Sequence, residues 1–550
     1  MKDDDRIVWT RIIEILLGVI FGALAVTIAY KVRDTFHPVK VRYEDWKKLN
    51  VILDVVEENY VDSVRVGDIT DAAVVAALSE LDPHSVYMPP VERKESETQL
   101  AGNFEGIGIQ FNVPNDTAVV LEVIPGGPSE KAGLLSGDRI LKVDDEVIAG
   151  VKFPQDSMVR RMKGPAGTKV TLLVRRSSEE IPFEITRGKI PLHSVDASLM
   201  VDDTTGYIRL TKFNRTTYME CLEASNKLRN QGMKRLILDL RDNTGGYLDQ
   251  AVKLTNEFLS RGDKIVYIQG RMRAREDYNA DGHGKLNDIG LAVLIDEGSA
   301  SASEILSGAI QDNDRGVIIG RRSFGKGLVQ EPVSFTDGSG LRLTVARYYT
   351  PSGRCIQKPY DSYSSDLYNR YMDGEIFSAD SVKVDTSDVH YTVHGRRVFG
   401  GGGIVPDVFV PMDTTRATTF YIACNRKATQ MRFASHIFDR NPSALREIAS
   451  FEEMDRFFNR LDIRREFISF ARNRDGISCT DAQWKETEPY LVPQLRALIS
   501  RYSKLGENAF YKYYLPVDET VNTALRTSFS PLLGDEGVGD ASHLPGGSGR

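Results

Sequence analysis

Cysteine is scarce in this chain: four residues in 550, Cys221, Cys355, Cys424 and Cys479, none close to another. There is no CxxC and no histidine pair beside a cysteine, so neither a zinc site nor a dense disulfide framework is indicated. One or two long-range disulfides stay open. Long basic runs are also missing, and the net charge is −7, which gives nucleic-acid binding no footing. Long apolar runs are absent with one exception, Ile12 to Tyr30. Glu14 breaks it and leaves Ile15–Tyr30 without charge, short for a membrane span and long for a signal-peptide core. Ala23-Leu24-Ala25 mimics a cleavage site but lies inside the run, so residues 1–33 read as an uncleaved signal anchor. Lys2, Arg6 and Arg11 precede it and Lys31, Arg33 and Lys40 follow it, which leaves its orientation open.

What remains is ordinary globular material, 41% hydrophobic and 27% charged, long enough for several domains with cores of their own. Between residues 40 and 95, Leu49, Ile52, Leu53, Val56 and Tyr60 recur at helical spacing, and Ala72–Leu78 predicts a second helix. Leu81-Asp82-Pro83-His84-Ser85 ends this segment with turn chemistry, and His84 reads as a structural residue.

Over residues 96–187 the pattern changes to short strands separated by glycine-rich turns. Gly106-Ile107-Gly108-Ile109, then Pro128-Ser129-Glu130-Lys131-Ala132-Gly133-Leu134, then Gly137-Asp138-Arg139-Ile140-Leu141-Lys142-Val143 follow one another. Glycines bring backbone N–H groups close to an anion, and a strand edge beside them can pair with an extended peptide. Taken in series, these segments resemble a PDZ domain of mixed α+β type. That resemblance makes Gly106, Ile107, Gly108 and Ile109 the loop that holds a peptide's terminal carboxylate.

From residue 188 to 413 strands alternate with helices, which argues for an α/β domain with a mostly parallel sheet. Loops after successive parallel strands emerge at one carboxyl edge, where ligands bind. Three marked loops share that edge: Asn243–Gly246, Gly298–Glu304 and Ser323–Gly327. In the second, the apolar run Leu291–Ile295 leads through small residues into a helical pattern at Ile305, Leu306, Ala309 and Ile310. A serine at such a turn stands exposed, with unpaired helical N–H groups beside it. Ser301-x-x-Glu304 is equally the signature of a capping box. Lys326, between two glycines and near Phe324 and Leu328, is a better candidate base than any histidine, because desolvation by apolar neighbours lowers a lysine's pKa, although the same pattern on its own fits an exposed lysine in a glycine loop. None of the eight histidines lies near the three loops in sequence. Residues 361–390 read as a polar surface insertion, 414–528 as a separate C-terminal helical domain, and 529–550 as a disordered tail.

GSASASEI, RRSFGKGLVQ, DLRDNTGG and GGGIVPD, downstream of LDPHS and the PDZ module, together resemble the C-terminal processing (tail-specific) serine proteases over roughly Leu81 to Pro411. The resemblance implies Ser301 as nucleophile, Lys326 as general base and Gln330 as the lysine-orienting glutamine. Glu304 fits the acidic position three residues after the serine. The oxyanion donors would be the N–H of Ala302 and of Gly245 or Gly246. Asp242 and Thr244 depart from the family's usual Asn and Pro. It further implies a crotonase-like or ClpP-like α/β core and no cofactor or metal. The substrates would be proteins or peptides with free C-termini, cut by an enzyme anchored in a bacterial envelope and facing the periplasm, or secreted if the N-terminal segment is removed. The helical segments are candidates for homo-oligomerisation. Two other classes fit parts of the pattern: a non-catalytic PDZ scaffold at the membrane, and a crotonase-like acyl-CoA enzyme.

Overall fold

The computed structural model describes residues 43–361, 363–414 and 418–529. The expected anchor lies outside them, and so does the expected tail 529–550 apart from its first residue: Phe529 is buried in the core beside Val521 and Ala524, so the tail begins after it. Among the described residues no helix is long and apolar enough to cross a membrane, and the four cysteines are free.

The chain divides into two compact units, Met1–Ala77 and Leu78–Arg550. The described part of the first holds the helix Tyr43–Asn59 and most of the helix Val66–Ser79. Both expected helices form, but Leu49, Ile52, Val55 and Tyr60 stay exposed, and the second helix buries none of its residues. Two short helices have too little surface between them to enclose an apolar stripe.

The second unit is built around a six-stranded sheet: β1 Val195–Met200, β2 Thr205–Leu210, β3 Arg235–Asp239, β4 Gly290–Ile295, β5 Val317–Gly320 and β6 Val408–Phe409. Its spatial order is the sequence order. β1 is antiparallel to β2, and all later pairings are parallel. Strands buried on both faces need near-continuous apolar runs, and β3 to β5 have them in Leu236–Leu238, Leu291–Ile295 and Val317–Ile319. Leu236, Leu238, Leu291, Val293 and Ile318 point to one face, where they meet Leu254, Leu306 and Ile310 of the crossover helices. Ile237, Ala292, Leu294, Val317 and Ile319 point to the other, against Leu515, Val521 and Ala524.

Those last residues correct one boundary. The region 414–528 is not a separate domain throughout, because its final helix, Glu519–Arg526, and the turn before it close the second face of the core sheet. Asp518 also receives the Arg241 guanidinium at 2.8 and 3.1 Å. The helices between Thr419 and Tyr514 form an aromatic-rich core, which Val119 and Leu121 of the PDZ-like segment also join.

Three further differences share one cause, pairing between segments distant in sequence. Lys264–Gln269, a strand within the 188–413 alternation that argued for a mostly parallel sheet, stands outside that sheet and pairs antiparallel with Glu276–Asn279 and Gly340–Tyr349. Val86–Met88, assigned above to the N-terminal helical segment, is a strand of that same second sheet, beside Gly340–Arg342. The insertion 361–390 is not a surface excursion: its Arg370 and Glu375 are buried, and Arg370 donates to the carbonyls of Arg322 and Ser323.

The segment resembling a PDZ domain forms a sheet whose outer strand, Ile109–Asn112, has a partner on one side only. Its far end meets the helical region. There a Cβ on Gly137, at φ +85, would fall 1.7 Å from the Phe438 ring, so only glycine lets that ring seat.

Candidate active site

Three loops leave β3, β4 and β5 at the carboxyl edge of the sheet, and each is bonded to the next. In the first, the buried Asn243 offers its carbonyl to Ala300 N–H at 2.9 Å and to Ser303 Oγ–H at 2.8 Å. Its Oδ1 accepts Gly245 N–H at 2.9 Å. Gly245 lies against the serine turn, where a Cβ would stand 2.8 Å from Ser301 Cβ. A Cβ on Gly246 would strike the Phe213 carbonyl oxygen at 2.0 Å.

The second loop is the turn into the wholly buried helix Ala302–Asp312. Ser301 caps it at φ 56, ψ −112, a backbone region that costs a non-glycine residue about 1–3 kcal/mol. Among the described residues the N–H groups of Ala302 and Gly246 have no hydrogen-bond partner, whereas that of Gly245 is engaged by Asn243. Of the two glycines left open by the sequence, Gly246 is therefore the one with an available donor.

The third loop brings Lys326. Phe324 N–H bonds the Ser299 carbonyl at 2.9 Å. Glu304, fully buried, binds the rest. Its Oε1 accepts Ser323 Oγ–H at 2.5 Å and Gly325 N–H at 2.7 Å. Its Oε2 accepts Ser301 N–H at 2.8 Å and Lys326 N–H at 2.9 Å. The Tyr348 hydroxyl adds a second bridge, meeting the carbonyls of Ser301, at 3.1 Å, and of Lys326. Glu304 is thus much more than the cap its spacing predicts. Burial pushes its pKa up to about 7, against the pull of the four donors.

Burial brings the Lys326 ammonium down to about 8. Arg342 contributes to that lowering, while Glu304 and Asp82 oppose it. Nζ donates to Gln330 Oε1 at 3.1 Å, and Gln330 Nε2 donates to the His84 carbonyl at 2.5 Å. Among the described residues no hydrogen bond joins Ser301 Oγ to Lys326 Nζ. The His84 ring, half-buried and near Lys326, is held neutral with its pKa lowered to about 4. It meets the Tyr363 hydroxyl, and Tyr363 packs edge-on against Phe324. The sequence marks the Asn243–Gly246 loop without giving Asn243 a role, does not single out Tyr348 or Tyr363, and gives LDPHS no part in the site.

So the structure brings Ser301, Ala302, Glu304, Lys326, Gln330, Gly245 and Gly246 to one sheet edge. Gly106, Ile107, Gly108 and Ile109 lie elsewhere: Gly106 ends a strand paired with Gly188–Pro191, Ile109 opens the outer strand of the PDZ-like sheet, and Ile107 and Gly108 link the two. There the carbonyls of Ile107 and Gly108 accept from Ser129 and Ile124. The N–H groups of Ile107 and Gly108 carry no hydrogen bond among the described residues. The Ile107 side chain is 2% exposed and belongs to the apolar core. It therefore lines no surface groove.

Residues 204–361 match the family model described as Peptidase family S41, and residues 119–176 match that of the PDZ domain. A carboxy-terminal-processing protease of Bartonella bacilliformis is 35% identical over 355 residues, covering 63% of this chain and 80% of its own. The chain belongs to peptidase family S41. This S41 member is a serine-type peptidase of the carboxy-terminal-processing group, which sets aside the scaffold and acyl-CoA readings. Among solved structures, the photosystem II D1 C-terminal processing protease is 32% identical, covering 56% of this chain and 83% of its own with a TM-score of 0.34. A peptide-bound PDZ domain of a carboxy-terminal protease from Vibrio cholerae is 33% identical over 16% of this chain and 99% of its own, with a TM-score of 0.15.

The four-donor site makes a prediction about stability. Glu304→Gln replaces one acceptor oxygen with an NH2 group facing N–H donors. At least one buried donor loses its partner, at a cost of about 1–3 kcal/mol. Denaturant unfolding of the core should shift accordingly. A variant as stable as the parent would contradict the assigned bonds.

Proposed function

We propose that this peptidase is a Ser/Lys endopeptidase that cuts proteins near their C-termini, with its PDZ domain reading the substrate's end. A single oxygen, Glu304 Oε2, supports the dyad most strongly. It accepts the main-chain N–H of both Ser301 and Lys326, so the serine turn and the lysine loop are held to one atom.

Neutral Lys326 Nζ takes the proton of Ser301 Oγ, and Oγ attacks the scissile carbonyl. The oxyanion accepts from the N–H groups of Ala302 and Gly246, which already lie at a helix start and a fixed loop and need no reorganisation. The Lys326 ammonium then returns the proton to the leaving amine, and water cleaves the ester by the same relay. Catalytic hydrogen bonds in unliganded sites are commonly long and tighten with substrate, in keeping with the unbonded Oγ and Nζ. Gln330 turns the amine by accepting one of its N–H groups.

At the PDZ domain, the N–H groups of Ile107 and Gly108 are available to a terminal carboxylate, and charge-assisted bonds are roughly twice as strong as neutral ones. The outer strand Ile109–Asn112 offers an edge to an extended chain, which favours disordered C-termini. A bacterial relative named for carboxy-terminal processing supports work in the cell envelope on extracytoplasmic proteins. The uncharged stretch Ile15–Tyr30 supports an inner-membrane anchor, and the resemblance to the tail-specific proteases, not the flanking charges, supports domains in the periplasm. The exposed apolar residues of Tyr43–Asn59 make that helix a candidate for self-association.

Ser301→Ala and Lys326→Ala should each abolish peptide cleavage with the fold preserved. In the parent, kcat/KM should rise with pH through a midpoint near the Lys326 value of about 8, since only the neutral amine accepts a proton. Cleavage surviving in either variant, or a limb that vanishes on replacing a histidine instead, would overturn the dyad. For the PDZ domain, an unfolded substrate with a free apolar C-terminus should be cut faster than the same chain ending in an amide or in Asp-Asp. Equal rates for all three would refute end recognition.

A further inference from the structure

We infer that Asp82 is a positioning residue that acts on Lys326 through His84 and Gln330. The inference rests on the reading of Lys326 as the base.

Asp82 is 9% exposed, and both of its oxygens are engaged. Oδ1 accepts the N–H groups of His84 at 2.8 Å and Ser85 at 2.9 Å, and Thr344 Oγ1–H at 3.2 Å. Oδ2 accepts Ser85 Oγ–H at 2.6 Å. Ser85 Oγ in turn accepts Thr344 N–H at 3.1 Å. The carboxylate therefore closes the turn 82–85 on itself and fastens it to Thr344. Thr344 is the cross-strand partner of Gln330. The turn is thus fixed beside the strand residue that contacts the lysine, and its geometry aims the His84 carbonyl at Gln330 Nε2, 2.5 Å away.

That bond has a chemical consequence. A glutamine amide presents an acceptor on one side and donors on the other, and nothing in its shape decides which faces a neighbour. A main-chain carbonyl accepts only, so His84 takes Nε2 and leaves Oε1 facing Lys326 Nζ. Flipped, the amide would offer its NH2 to the amine and compete for the lone pair that must receive the serine proton. The anchor is a backbone atom, so the identity of the His84 ring matters little here. What matters is the carboxylate that holds the turn.

Asp82 has an electrostatic effect as well. The charged groups facing Lys326 are Arg342 on Gly340–Tyr349, Glu304 on the buried helix and Asp82 on its turn, with His84 neutral. Arg342 disfavours the ammonium, and the two carboxylates favour it. Removing the Asp82 charge alone should therefore make the lysine easier to deprotonate.

The test compares pH profiles of kcat and kcat/KM for the full chain and for Asp82→Asn, Asp82→Ala and Thr344→Val, with Lys326→Ala in the same assay. Asp82→Asn keeps an acceptor for the turn but loses the charge, so the midpoint should move to lower pH by about 0.5. Asp82→Ala frees the turn, so kcat on the high-pH plateau should fall about tenfold with KM little changed. Thr344→Val keeps the charge and should lower kcat by a smaller factor with the midpoint unmoved. Native midpoints and native kcat in all three would overturn the inference. So would losses that follow melting temperature alone or fall on KM alone. If Lys326→Ala still cleaves, the base assignment has failed. If Lys326→Ala is inactive while the Asp82 variants behave as the parent, only the present inference has failed.

Discussion

The carboxylate of Glu304 is the constraint on which the site depends. A charged group removed from water is costly unless its lone pairs are filled, and here four donors fill them. Those donors come from two loops that are distant in sequence and leave neighbouring strands. Separating the serine turn from the lysine loop would leave a buried carboxylate short of partners, so the two move as one piece. The same bonding explains how a strained backbone persists at Ser301. The turn is held on one side by Glu304 and the buried helix, and on the other by the Asn243 carbonyl.

The rest of the architecture delivers loops to that point. Parallel β3, β4 and β5 set their carboxyl ends side by side, and helices on one face with the C-terminal helix on the other bury them fully. The C-terminal region therefore completes the peptidase core. Asp239, fully buried, takes the guanidiniums of Arg209 and Arg241, and Asp518 holds Arg241 from the other side. These charges keep the Asp239 carboxyl well below its usual range. The loop that bears Gly245 and Gly246 begins at this ion cluster. The helical region also reaches the PDZ domain, where Phe438 rests on Gly137 and Arg139 pairs with Asp439 at 2.5 Å. One segment thus touches both the domain with the open strand edge and the sheet with the serine.

Much of this was legible in the sequence because it is written in local patterns. Strands buried on both faces read as apolar runs, and small residues between a run and a helix read as a turn. The parallel alternation then brings Ser301, Lys326 and the glycine pair to one edge without any knowledge of distance. What was not legible depends on long-range pairing. Lys264–Gln269 has the composition of a core strand, and only its antiparallel partners place it elsewhere. The segment 361–390 is polar because Arg370 and Glu375 answer each other and the 322–323 carbonyls, so its polarity concealed its burial. Glu304 has the spacing of a cap, and a cap and a buried hub look identical within one turn of helix. Asp82 reads as a turn former, which it is. Its link to Lys326 passes through Thr344 and Gln330, more than 240 positions away in the chain. The choice between Gly245 and Gly246 turned on one bond, from Gly245 N–H to Asn243 Oδ1.

The central claim, that the geometry around Glu304 makes Ser301 a nucleophile, is tested most directly by trapping the ester it would form. The purified enzyme would be mixed with a peptide substrate, quenched in acid within the first turnover and digested, and its fragments weighed. The account predicts that the fragment containing Ser301 gains the mass of the substrate's acyl portion and that none forms in the Lys326→Ala variant. An adduct on another residue, or cleavage proceeding with no adduct at any quench time, would contradict it.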